Sequence, residues 1–154
     1  MADALAGLVD ELAGVRRRRQ VTQAALGAPL GLSGMSIANW EGGRVPSAWN
    51  FVRWAQALRL RLVVLDESGA VWAPSSPVPR ASGEQTHLYR LRVLALTLRN
   101  VRLEAGMTQE QVAATLGVST WSVQMWENAR RLPRMPWLIE WCAVLGCRLE
   151  LREC

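Results

Sequence analysis

The sequence predicts a mainly α-helical chain built from two copies of one unit, each closing on a short β-strand. Three observations carry this expectation. Residues 12–41 match residues 98–127 without a gap at a constant offset of 86. Apolar residues recur at helical spacing in the copies, and each copy then ends in a stretch that alternates with period two. Identical pairs include Leu12/Leu98, Val15/Val101, Arg16/Arg102, Thr22/Thr108, Gln23/Gln109, Gly31/Gly117, Ser33/Ser119, Trp40/Trp126 and Glu41/Glu127. After one inserted residue the match resumes at an offset of 87 through Pro46/Pro133, Trp54/Trp141, Leu58/Leu145 and Leu62/Leu149. Self-similarity at a fixed spacing marks a repeated supersecondary unit. The expected division is 1–65 for the first unit, 66–86 for a hairpin and a Pro/Gly/Ser-rich linker, and 87–154 for the second unit.

In the second copy Leu91, Leu94, Leu98 and Val101 mark the buried face of a first helix. Thr108 caps a second helix, with Gln111 at the capping-box position. Leu116-Gly-Val-Ser119 then supplies a glycine turn and a new cap, and Val123 and Trp126 face inward from a third helix. Pro136 opens a fourth helix over 136–145, carrying Leu138, Trp141 and Cys142 inward. Cys147 to Arg152 alternates as a half-buried strand, and Leu60 to Leu65 is its counterpart in the first copy. Pro29 falls inside the first copy's second helix, where its ring clashes with a carbonyl, so that helix should end early or kink. In the linker, Asp66-Glu-Ser-Gly69 reads as a turn, and Ala70 to Ala73 folds back on the preceding strand as a short hairpin before the chain runs free. His87 reads as an exposed residue at a helix start.

The formal charge is +5, and all 18 basic residues are arginine, which favours a polyanionic partner. A GC-rich genome that favours arginine codons accounts for the arginine bias equally well. No stretch approaches the roughly 20 apolar residues needed to cross a bilayer. The start, Met1-Ala-Asp-Ala-Leu5, lacks the basic segment of a signal peptide, so a cytoplasmic location is expected. Cys142, Cys147 and Cys154 form no CxxC pair and read as reduced thiols. A single histidine, and no carboxylate pair beside a nucleophile, leaves no catalytic constellation, no metal site and no expected cofactor.

The run Thr108-Gln-Glu-Gln-Val-Ala-Ala-Thr-Leu-Gly-Val-Ser-Thr-Trp-Ser-Val-Gln-Met-Trp-Glu-Asn128 closely resembles the helix-turn-helix of the Cro/repressor, or XRE, family. Thr22 to Glu41 resembles it too. The resemblance implies two tandem lambda-repressor-like helix-turn-helix domains, with the two strands available to pair into a small antiparallel sheet. It also implies double-stranded DNA as partner, with the third helix of each unit in the major groove. By that resemblance Gln109 and Gln23 bind phosphate, aided by the helix dipole. Thr120, Trp121, Gln124 and Met125 face bases in the second copy, and Gly34, Met35, Ala38 and Asn39 in the first. Ser122 and Ser36 touch the backbone, while Asn128, Arg130, Arg131 and Arg134, with Arg44 in the first copy, clamp the strands. Arg102 with Glu127, and Arg16 with Glu41, match a structural ion pair of the family.

Of the first copy's base-facing residues only Asn39 offers a side-chain hydrogen bond, one suited to adenine. The leading expectation is a sequence-specific transcriptional regulator, a repressor. Antiparallel pairing of equivalent strands implies a pseudo-twofold axis, so one chain presents two reading helices about 34 Å apart to an imperfect inverted repeat. Strand exchange between two chains, giving a homodimer of four units, is the rival geometry. A different class stays open beside it, an antitoxin or adaptor that grips a partner protein with the third helix. Gly34, Met35 and Trp121 suit that use. Non-specific chromosome packaging is a third reading, for which the charge is modest. No pocket-forming effector domain is visible in the sequence.

Overall fold

The computed structural model describes residues 2–154, so Met1, the first residue of the region read as 1–65, lies outside the described residues. In the first half α1 (Ala2–Arg18), α2 (Gln23–Gly27), α3 (Gly34–Glu41) and α4 (Ala48–Ala57) precede β1 (Leu60–Leu65). The second half runs in the same order through α5 (Thr86–Glu104), α6 (Gln109–Leu116), α7 (Thr120–Glu127), α8 (Met135–Val144) and β2 (Arg148–Glu153). The two strands form one antiparallel sheet, as the alternating segments led us to expect.

Local chemistry sets these boundaries. Thr108 Oγ1 accepts from the Gln111 N–H at 3.1 Å, and Gln111 Oε1 accepts from the Thr108 N–H at 2.9 Å, closing the expected capping box. Pro29 has the expected effect: α2 stops at Gly27 and the chain tightens into a 3₁₀ turn over Ala28–Leu30. Left-handed residues recur at matched positions, Gln20 (φ 56°) with Gly106 (φ 70°) and Arg59 (φ 58°) with Gly146 (φ 75°). Both halves therefore turn out of their helices in the same way, even where one of them has no glycine to make the turn easy.

The sheet register relates the halves. Val63 pairs with Glu150, Leu62 with Leu151 and Val64 with Leu149. In the repeat, Val63 and Glu150 are themselves equivalent positions, as are Leu62 and Leu149, and Val64 and Leu151. Each strand thus meets its own counterpart about a self-equivalent pair, the condition for a local twofold axis. A second self-equivalent pair lies before α4 and α8, where Ser47 bridges Arg134. It is flanked by reciprocal bonds, Ala48 N–H to Pro133 O and Met135 N–H to Pro46 O, both 3.2 Å. Two such points fix the axis. The packing follows it, with α1 against α8 matched by α5 against α4. One apolar cluster runs through both halves, from Leu8 and Trp54 to Trp141 and Leu151. At its two matched centres Trp40 meets Trp54 at 5.6 Å and Trp126 meets Trp141 at 5.5 Å.

Five expectations need correction. The fourth helix of the second half spans Met135–Val144, not 136–145, and its strand begins at Arg148 rather than Cys147. Cys147 instead closes the end of α8, its N–H and Sγ both donating to Cys142 O at 3.0 and 3.2 Å. β1 does not have one apolar face, because Val63, Val64 and Leu65 are all buried. α4 and α5 both pack on β1, and the returning segment covers it further, with the Trp72 N–H donating to Val64 O at 2.8 Å. This segment is the expected hairpin, bridged at Leu65 and Val71 and turned by Asp66, whose Oδ1 accepts from the Ser68 and Ala70 N–H groups, both at 2.9 Å. Beyond it the linker does not run free, since Tyr89 Oη donates to Val78 O and Arg92 ties Pro79 O and the Glu84 carboxylate. Last, His87 is half-buried, its ring meeting Trp49 edge-on at 4.7 Å.

Candidate nucleic-acid interface

The second half builds its candidate surface from α6 and α7. Val112, Ala113 and Leu116 bury one side of α6, and Gly117, left-handed at φ 77°, turns the chain. Ser119 then caps α7 by accepting from the Ser122 N–H at 3.1 Å. Val123, Trp126 and Glu127 fix α7 from inside. The residues expected to face bases are left on its outer side, with Trp121 and Gln124 exposed and Thr120 and Met125 half-buried. Trp121 is 51% exposed, and the Arg131 guanidinium lies over its ring at 5.1 Å. Ser122 Oγ is already engaged with Ser119 Oγ at 3.0 Å. Asn128 caps the end of α7 and, like Arg130 and Arg131, is exposed. Arg134 is exposed too, yet one of its N–H groups goes to Val45 O of the first half at 3.2 Å.

Behind α7 lies an ion pair. Arg102 donates from Nε and Nη2 to the two Glu127 oxygens at 2.6 and 3.0 Å, and from Nη1 to Met107 O at 2.9 Å. Gln109 adds a bond from Nε2 to Glu127 Oε1 at 3.0 Å. The first half holds the same set, with Arg16 on Glu41 at 2.7 and 2.8 Å and Gln23 on Glu41 at 3.1 Å. There burial pushes the Glu41 carboxyl up, but the bonds from Arg16 and Gln23 outweigh it and hold it below its usual range. The glutamine side chains are therefore positioned by a carboxylate, buried at Glu127 and half-buried at Glu41, and each keeps one amide hydrogen beyond that bond. Both glutamines and both glutamates recur at the same spacing, a signal in the sequence that would have revealed the link.

The first half's surface is poorer in chemistry. Gly34 opens α3 so close to α2 that a Cβ there would lie 3.0 Å from Ala24 N, so a larger residue enters only if the α2 backbone gives by a few tenths of an ångström. Met35 is 68% exposed. Ala38 and Asn39 are half-buried, as are Gly34 and Ser36, and Arg44 is exposed just beyond the helix. Sequence reasoning missed two features, the Arg131–Trp121 stack and the links from Gln23 and Gln109 to their glutamates.

Among the described residues no helix is long and apolar enough to cross a membrane, and no group of His, Cys, Asp and Glu is arranged to hold a metal ion. No curated protein and no solved structure matches the chain. Residues 98–151 match the Helix-turn-helix family model, a span that begins within α5 and ends within β2. That part of the chain is similar to the helix-turn-helix domains that DNA-binding transcriptional regulators carry.

Proposed function

We propose that the chain is a cytoplasmic, sequence-specific regulator of transcription, a repressor, that binds double-stranded DNA as a single-chain pseudo-dimer. The observation that carries this reading is the local twofold axis through Val63/Glu150 and Ser47/Arg134. An axis relating the halves relates α3 to α7 as well, so both helices present themselves at one level, as two half-sites on one DNA face demand. On this reading residues 1–65 and 87–154 are tandem helix-turn-helix domains joined by 66–86. α7 does most of the reading, through Thr120, Trp121, Gln124 and Met125, and Asn39 supplies the first half's one hydrogen-bonding contact. Selection from a random DNA pool, followed by footprinting, is expected to return an imperfect inverted repeat with half-sites about one turn apart. A direct repeat, or protection of one half only, would overturn it.

Roles within the surface separate by salt. Arg130→Ala and Arg131→Ala should weaken all sequences alike, and each should lower the log–log salt slope by about 0.9, since phosphates carry no sequence information. Thr120→Ala and Gln124→Ala should instead lose about 1–3 kcal/mol of discrimination at particular base pairs. Titrations against matched and mismatched duplexes at several salt concentrations check both; equal losses in all four variants would refute the assignment.

A second reading, a protein-gripping adaptor, is favoured by the exposure of Met35 and Trp121 on these two helices. It predicts that the selected DNA shows no consensus and no resistance to competitor DNA.

A further inference from the structure

Between the α2–3₁₀ segment, α4 and the start of α5 lies a cleft of about 760 Å³, a size that holds small organic ligands. Arg19, Arg53, Arg80 and His87 line it, and among the described residues no carboxylate does. Arg19 gives an N–H to Leu58 O, Arg53 gives one to Leu30 O, and Arg80 bonds Glu84 O and Thr86 Oγ1. A guanidinium carries five N–H donors, so each of the three has donors left over. Two polar atoms of the lining residues, Gln56 Oε1 and His87 Nε2, are enclosed without a partner among the described residues. Burial, and then the charge of Arg53, hold His87 below its ordinary value, so the cleft is already electropositive around an uncharged ring.

The fold does not require these residues. At the equivalent positions the second half has Ala105 for Arg19, Pro136 for Trp49, Glu140 for Arg53 and Ala143 for Gln56. The residues that build helices and core recur, while the charge, the aromatic ring and the amide of the cleft do not.

We propose that this cleft binds a small organic anion that carries an aromatic ring. The arginines take its carboxylate or phosphate in forked, charge-assisted bonds. Trp49 takes its ring, against the apolar wall of Pro29 and Leu30. An inorganic anion would leave that wall unfilled. The site stands apart from α7 and does not rest on the DNA reading.

Calorimetric titration of the full chain with salicylate, AMP and inorganic phosphate tests it, the first two probes separating a carboxylate from a phosphate ligand. At least one ring-bearing anion is expected to bind once per chain with a Kd below about 1 mM, and phosphate about tenfold more weakly or worse. Ala57→Glu, which sets a carboxylate in the wall, and Arg80→Gln at its exposed rim should each weaken that binding about tenfold. Thermal melts identify which variant keeps the fold, and the folded one decides. Failure of both ring-bearing anions to bind, phosphate binding as tightly as they do, or full affinity in the folded variant overturns the proposal.

Discussion

Arg102→Ala is expected to lower the free energy of unfolding by about 3–5 kcal/mol, because it strands a carboxylate that has no route to water. The Glu127 side chain is 1% exposed and that of Arg102 9%, and the guanidinium also satisfies Met107 O. Truncation therefore leaves a buried charge with only the Gln109 amide as partner, and a loop carbonyl unpaired at once. Arg16→Ala should cost less, since the Arg16 and Glu41 side chains are 12% and 10% exposed and water reaches the orphaned group. Replacing the pair together, as Arg102→Met with Glu127→Leu, should recover most of the loss, because apolar residues of similar volume remove both charges. Urea unfolding of the four proteins measures these differences. Equal midpoints for Arg102→Ala and the unmodified chain would show that the pair contributes nothing.

Trp54→Ala and Trp141→Ala should each cost about 3–5 kcal/mol, and by similar amounts. Both side chains are fully buried, and each packs on a second tryptophan in a matched arrangement. Trp→Phe at either position should cost far less than Trp→Ala, because each indole N–H is buried without a partner among the described residues, and phenylalanine removes that unpaired group as well as some volume. The apolar cluster is continuous across the halves, so either alanine variant should still unfold in one transition. Circular dichroism and tryptophan fluorescence melts that coincide support this; two separated steps would show that the halves are independent.

The features that were legible in the sequence depend on neighbours close along the chain. Thr108 with Gln111 announces a helix start within four residues, and Pro29 announces a helix end, because both act through the backbone beside them. The alternation of Leu60 to Leu65 marked a strand, and the repeat named its partner. Its second buried face was not legible, because Val63 and Leu65 owe their burial to helices and to a returning hairpin that the alternation does not encode. Cys147 looked like a strand residue by period and became a helix-ending one by the bonds it makes to Cys142. At the candidate surface, the order of α6 and α7 was plain from Gly117 and Ser119, whereas the stacking of Arg131 on Trp121 joins residues whose relative height is set only once the loop has folded. His87 was misread for a related reason: Trp49, which covers it, comes from the other half of the chain.

The pairing of β1 with β2 joins two segments of one chain. In an assembly of separate subunits the population of such a sheet falls as protein is diluted, whereas tethering fixes the local concentration of each strand at the other, whatever the total amount present. The sheet therefore stays closed at a few molecules per cell. Its melting temperature should not move with dilution, and occupancy of any target that needs both halves should rise with the first power of protein concentration rather than the second.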